Sequence, residues 1–177
     1  KAFDGFRETS PYYIGKMDLW YGFTCHGIDF LRKDGVLCFI AQNNWTTSAG
    51  AKKMRNKVIN DSQILQLLDF NTYMVFENAE IQTMIMLFRR NQDIDGYKFD
   101  HRTITRNNEK EDMIALLEKQ DRNTKFITPV INRNSLKEQL LTFSDNNYIF
   151  DKLTRNKTSL QENEIAQGIV FPQDFLN

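Results

Sequence analysis

Apolar residues recur at helical spacing through Leu19, Phe23, Gly27, Phe30 and Leu31, which predicts a helix with Asp18 as its N-cap and its end near Leu31. Arg32-Lys33-Asp34-Gly35 reads as a cationic last turn and a glycine stop. Residues 36–41 form an uninterrupted apolar run of strand length, the pattern of a strand covered on both faces. Gln42-Asn43-Asn44-Trp45-Thr46-Thr47 reads as a polar loop with an exposed Trp45, and Thr46 or Thr47 is placed to cap a helix running to about Ile59. A second strand is predicted over 64–70. A third spans 81–88, apolar on both alternating sets, with Arg89-Arg90 ending it in solvent. No helical period fills residues 71–80, so these two strands are expected to pair antiparallel.

The flanks are less regular. Residues 1–16 hold Gly5, Pro11, Gly15 and the pair Tyr12-Tyr13 without a sustained period and read as an aromatic-rich loop. Further on, 97–104 suits a short edge strand and 125–131 another strand. The pairs Asn108/Glu111 and Ser135/Glu138 look like capping boxes opening helices. From Asn146 the chain is polar and rich in turns until residues 165–169, which resemble the first turn of another unit.

Composition narrows the class. In 177 residues, 41% are apolar and 12% aromatic, including 14 Phe, which excludes a disordered tail, and no apolar run reaches the roughly 18 to 20 residues of a membrane helix. With 23 Lys plus Arg against 23 Asp plus Glu the formal charge is zero, so contact with a polyanion must come from local patches. Cys25 and Cys38 lie in apolar surroundings with no CxxC, which argues against a zinc site or a disulfide framework and for a reducing cytoplasm. The first residue is Lys1, with no signal-type segment, and the last follow a Pro172 turn, so a piece of something longer is expected.

His26 and His101 have no neighbours suited to a metal site or a nucleophile's base, and His26 reads as structural. GxGxxG, GxxxxGK[ST], HExxH and GxSxG do not occur. Chemistry is carried instead by the order of elements: helix, Lys-Asp-Gly turn, buried strand, polar loop with Trp, helix, strand, loop with Phe76, two-faced strand. In this order, Asp18-Leu19-Trp20-Tyr21-Gly22-Phe23 with Lys33-Asp34-Gly35-Val36-Leu37, then Phe39-Ile40-Ala41-Gln42-Asn43-Asn44-Trp45, then Val75-Phe76-Glu77-Asn78-Ala79 followed by 81–88, resemble the second half of the catalytic domain of gamma-class DNA adenine-N6 methyltransferases. The type IIG restriction-modification enzymes include such a methylase part. The likeness covers residues 10–90 and, loosely, 160–177.

The resemblance implies an α/β fold: part of a Rossmann-like methyltransferase sheet whose later strands include an antiparallel hairpin, with the last strand inserted antiparallel. Residues 1–90 would be the carboxyl-side half of the catalytic domain, 91–160 a mixed helical extension, and 161–177 the start of a truncated target recognition domain. The implied activity is methyl transfer from S-adenosylmethionine to adenine N6 in double-stranded DNA. Phe76 would stack on the extruded base, since a base methylated at its exocyclic nitrogen must leave the duplex stack. Phe23, which reads as core from sequence alone, would edge the adenine of the cofactor. Asn43, Asn44 and Trp45 follow the carboxyl end of a strand, where open α/β sheets bind ligands. Lys52, Lys53 and Arg55 read as a solvated helix face with phosphate contact as the functional alternative; Arg89-Arg90 and Arg102 with Arg106 rank no higher.

Two departures from the family pattern bear on activity. The glycine-rich loop for the methionine end of the cofactor and the Asn-Pro-Pro-Tyr tetrapeptide are not in the sequence, and the family's Pro in the strand-and-loop block is replaced near Ala41 or Gln42. The chain by itself is therefore expected to be inactive and to bind no cofactor. Strand 36–41 is expected to expose an unpaired edge, to be covered by a lattice neighbour, a dimer partner or a refolded segment 1–16. The alternative is a non-catalytic protein interaction domain on a similar half-sheet, with Phe76 and Trp45 as anchors.

Overall fold

The computed structural model describes residues 4–79, 81–106, 109–135 and 140–143. The chain divides into units 1–145 and 146–177. The expectations placed on 146–177, and the helix opened by Ser135/Glu138, lie outside the described residues. Residues 4–16 are not all loop: Phe6–Thr9 form a single helical turn (α1), whose Phe6 ring lies edge-on to His26, 6.1 Å between centroids. The main helix, Leu19–Phe30 (α2), has the bounds that its apolar spacing predicts. Gly35 N–H donates to Arg32 O at 2.9 Å, and Asp34 takes a left-handed φ of 62°, making the tight turn into β1, Val36–Gln42.

Two 3₁₀ turns, Asn43–Thr46 and Ala49–Ala51, precede α3, Lys52–Asp61, so neither Thr46 nor Thr47 caps it. Arg55 is the reason. Its Nη1 donates to Trp45 O (2.8 Å) and Ser48 O (2.5 Å), winding the loop around a buried guanidinium. Trp45, expected in solvent, has no exposed surface and packs edge-on to Phe88 at 6.0 Å.

Next come β2 (Ser62–Asp69), β3 (Thr83–Arg90), β4 (Gly96–Lys98), β5 (Asp100–Ile104), α4 (Lys110–Glu118), β6 (Thr124–Ile127) and β7 (Val130–Asn132). The five-stranded sheet has the order β1-β3-β2-β5-β6, and β4 with β7 form a second, two-stranded sheet. β2 and β3 pair antiparallel as expected. β3 also pairs antiparallel with β1, which places it between two mutually parallel strands. That is the inserted antiparallel strand of the implied fold. The segment expected as one edge strand over 97–104 is two strands in different sheets, and β5 is internal, parallel to β2 and antiparallel to β6. Pro129, which cannot donate to a ladder, likewise divides 125–131 into β6 and β7. The α4 box uses Glu109 rather than Asn108: Glu109 N–H donates to buried Asp112 at 3.1 Å.

One face of the sheet carries Ile64, Leu67, Met84, Met86 and Phe88 against Tyr21, Cys25 and Ile28 of α2 and Met54, Val58 and Ile59 of α3. The other carries Leu68, Phe70 and Ile104 against Leu116 of α4. Ile64 and Leu67 share a face despite their odd spacing because the β2–β3 register shifts between Ile64 and Gln66, leaving Leu65 bulged. Arg90 does not end β3 in solvent. Its Nη1 donates to Asp29 O (2.7 Å) and Leu31 O (2.5 Å), tying the strand to the end of α2.

β1 is an edge strand and not, as its apolar run suggests, a strand covered on both faces. Leu37, Phe39 and Ala41 pack into the first core, while Val36, Cys38 and Ile40 are exposed. Above it, Gly27 is the contact point of α2: a Cβ there would sit 3.0 Å from Leu37 Cδ2. Phe23 and Phe30, on the same helical face as Gly27, are 61% and 87% exposed.

Between α2 and α3, Lys57 Nζ donates to Asp29 Oδ1 (2.5 Å) and to Asp61, while Tyr12 OH donates to Asp29 Oδ2 (2.6 Å). Burial pushes the Asp29 carboxyl up, but the hydrogen bonds from Lys57 and Tyr12 outweigh it and hold it below its ordinary 3.8. A carboxyl depressed in the fold contributes stability that is present above its ordinary value and is lost as pH falls through the folded value. The urea midpoint is expected to drop on acidification below about pH 4. Lys57→Met should flatten this acid limb and cost about 1–2 kcal/mol near neutrality, because two carboxylates lose their shared donor in a partly screened site. At Gly50 a Cβ would meet Lys16 O at 2.0 Å and Met17 Cα at 3.0 Å. Gly50→Ala is accordingly expected to destabilise by about 1–3 kcal/mol in urea titration, through displacement of backbone.

Candidate functional site

β1, β2 and β5 are parallel, so their carboxyl ends lie at one edge of the sheet, the edge where open α/β sheets take ligands. Gln42 pairs with Thr83 and Asp69 with Met84, which brings the ends of β1 and β2 to the first residues of β3. Asn43 N–H donates to Gln82 O (3.1 Å), and Phe70 N–H donates to Thr83 O (3.1 Å). The loop after β1 and the loop carrying Phe76 are thus fastened to adjacent carbonyls.

The Phe76 loop is built with alternate side chains inward and outward. Tyr73 and Val75 pack on the second core, with Tyr73 6.5 Å from the Phe70 ring, while Met74 and Phe76 stand out. Phe76 is 44% exposed, and its carbonyl accepts from Ala79 N–H at 3.2 Å, closing a turn beneath it. A large aromatic held outward on half-buried anchors presents an open face for stacking.

Among the described residues, the side chains of Asn43 and Asn44 bond to other side chains and not to their own loop's backbone. Asn43 Nδ2 donates to Asp69 Oδ1 (3.0 Å), and Asn44 Oδ1 accepts from Tyr21 OH (3.4 Å). The latter contact sets the amino end of α2, two residues before Phe23, beside the loop. Phe23, a core residue by sequence pattern, is exposed instead, because nothing in the described sheet lies beyond β1 to cover it. Trp45 is buried beneath the loop, where it supports the site and offers no surface to a ligand.

Among the basic residues, Arg55 departs from the solvated-face reading. It is 3% exposed, its guanidinium bonds to loop carbonyls, and burial lowers it from its ordinary value. Lys53 is exposed and donates to Pro11 O at 2.7 Å; Lys52 is half-buried. Two further groups at this edge escaped the sequence pattern. Asp69 Oδ1 also accepts from Asn71 N–H (2.9 Å), and Asn71, left-handed at φ 52°, sends Nδ2 to Ile104 O (3.0 Å). The available signal was a carboxylate closing the apolar run of β2 at a carboxyl end. Thr83 is fully buried, and among the described residues its hydroxyl has no hydrogen-bond partner.

Cys25 is buried, its thiol pushed up to about 12 by burial, and Cys38 lies exposed on β1. No described group of His, Cys, Asp and Glu could hold a metal ion, and no described helix is long and apolar enough to cross a membrane.

Residues 4–76, from α1 through β2 to the Phe76 turn, match the Eco57I restriction-modification methylase family. No curated protein matches the chain. Among solved structures, the type IIG restriction endonuclease BpuSI is 12% identical with a TM-score of 0.51, over 76% of this chain and 17% of that one. The methyltransferase subunit of a type I restriction-modification system from Streptococcus thermophilus is 15% identical with a TM-score of 0.48, over 79% of this chain and 34% of that one. The chain therefore spans a minor part of the length of these proteins. It resembles the restriction-modification methylases over 4–76, and its mixed α/β fold is similar to one part of a type IIG enzyme.

Proposed function

We propose that the chain is the carboxyl-side half of the catalytic domain of a site-specific DNA methyltransferase of a restriction-modification system, acting from S-adenosylmethionine on adenine N6. The observation that carries the reading is Phe76: an aromatic ring standing outward at the carboxyl edge of an α/β sheet, on a loop anchored by Tyr73 and Val75. A base swung out of duplex DNA loses its neighbours, and stacking on such a ring returns about 1–3 kcal/mol. Asn43 and Asn44 lie on the adjoining loop, which is fastened to Gln82 next to the anchor of the Phe76 loop at Thr83.

The residues present fit one wall of the cofactor site. Phe23 is an exposed flat ring on α2, suited to pack on a purine, and α2 is fixed to the adjoining loop through Tyr21 and Asn44. The cofactor supplies the methyl group. Its polar end and the acceptors for the adenine amino group are assigned to a further strand and loop, bearing Asn-Pro-Pro-Tyr, that pairs with the free edge of β1 and covers Phe23 and Phe30 on the α2 side. Residues 4–16 do not fill this place, since Phe6 and Tyr12 pack on α2 at His26. Double-stranded DNA is the partner, with Lys53 and Lys52 nearest the role of phosphate contacts; Arg55 is spent on the loop.

Purified on its own, the chain is expected to incorporate no methyl groups into DNA and to show no S-adenosylmethionine binding by calorimetry; methyl incorporation above background contradicts the half-domain reading. In the complete enzyme, Phe76→Ala should lower kcat for methyl transfer about tenfold, the equivalent of the stacking energy, while Phe76→Trp retains most of it. Duplexes carrying 2-aminopurine at the target should lose their fluorescence rise in Phe76→Ala. An unchanged rate and an unchanged rise together remove the base-stacking role.

A further inference from the structure

Asp69 ends β2 on the ligand edge, and one of its oxygens joins two loops that the sequence holds far apart. Oδ1 accepts from Asn43 Nδ2 (3.0 Å), in the loop after β1, and from Asn71 N–H (2.9 Å), the first turn of the Phe76 loop. Asn71 in turn donates Nδ2 to Ile104 O (3.0 Å) at the end of β5. The left-handed φ of 52° at Asn71 turns its N–H back toward the carboxylate. Three strand ends are therefore connected through the side chains of Asn43, Asp69 and Asn71, with Asp69 at the centre, in parallel with the backbone bonds to Gln82 and Thr83. A charge-assisted bond to a carboxylate is about twice as strong as a neutral one.

We propose that Asp69 is a positioning residue that latches the Asn43 loop to the root of the Phe76 loop, so that the two lips of the base pocket move as one body. The latch rests, for its catalytic meaning, on the reading of Phe76 as the base-stacking ring; the mechanical coupling does not. Asp69 touches no reacting atom in this scheme. It acts by keeping Phe76 at a fixed place relative to Asn43, and a ring displaced by about 1 Å costs rate out of proportion to binding.

Exchanging the partners tests it. Backbone amide exchange over 71–79 is measured in this chain for the parent sequence, Asn43→Asp, Asp69→Ala and the double variant Asn43→Asp/Asp69→Asn. Asn43→Asp sets two carboxylates against each other, Asp69→Ala removes the acceptor, and the double variant restores a carboxylate–amide pair with roles reversed. Exchange is expected to rise about tenfold in the two single variants, the loss of one charge-assisted bond, and to return toward the parent rate in the double. The amides of Met86, Leu87 and Phe88 in β3, a strand paired on both sides, report global unfolding, and Asp69→Ala carries the measurement should Asn43→Asp fail to fold. Unchanged exchange in the single variants, or no return in the double, overturns the coupling. In the complete enzyme Asn43→Asp should lower kcat about tenfold with the KM for the methyl donor unchanged, and the double variant should restore it. A kcat that does not follow the exchange data overturns the positioning role. Phe76→Ala, measured alongside, separates the two claims: if it leaves kcat intact the base-stacking reading fails, while the exchange data alone decide the latch.

Discussion

The site depends on one act of pairing, the insertion of β3 between β1 and β2. Two parallel strands joined through α3 would ordinarily be neighbours. Here each is zipped to the same antiparallel strand, over seven consecutive pairs between Val36 and Gln42 on the β1 side. The geometric consequence is that Gln42 and Asp69 arrive together at Thr83 and Met84, and the loops that follow them bond to Gln82 and Thr83. Without that register the Asn43 loop and the Phe76 loop would end at different places, and Asp69, which meets Asn71 within its own turn, would not reach Asn43.

Pairing of this kind was readable where residues had only to be apolar and in period. Helix α2, the apolar run of β1 and the antiparallel partnership of β2 and β3 followed from spacing, since each is specified within its own stretch of chain. What spacing did not disclose is what sets the environment of each face. A bulge at Leu65 changes which residues of β2 are buried, and nothing in Ile64-Leu65-Gln66-Leu67 marks it. Trp45 and Phe23 exchanged their expected places for a similar reason. Trp45 sits in a polar string but lies beneath the turn that Arg55 organises, while Phe23 sits in an amphipathic pattern but faces a side of β1 with no further strand among the described residues. Burial is a property of neighbours distant in sequence, and periodicity is local.

The cations make the same point in electrostatic terms. Lys52, Lys53, Arg55 and Lys57 look like one basic face, yet Arg55 is consumed by the carbonyls of Trp45 and Ser48, and Lys57 by Asp29 and Asp61. Arg90 is bonded to the last carbonyls of α2, and Arg133 Nη2 to Ser62 O at 2.9 Å. A guanidinium suits this work because its donors form a rigid fork that can meet two carbonyls at once. In a chain of zero net charge, removing these groups from the surface leaves a thin positive supply near the site. Attraction to a phosphate backbone, if it is to be strong, has to be contributed by other parts of the proposed enzyme.

The same division of labour explains the shape of the exposed apolar surface. Natural sheets blunt an unpaired edge with charge, proline or a bulge, because a bare ladder recruits strands indiscriminately. β1 carries none of these: its outward residues are Val36, Cys38 and Ile40, and the helix above it adds Phe23 and Phe30. On the opposite flank β6 places Lys125 among its exposed positions, an edge protected in the usual way. One edge of the described sheet thus carries a charge and the other is bare and apolar; on the proposed reading, that bare side is where the rest of the enzyme joins the wall to which Phe76 and Phe23 belong.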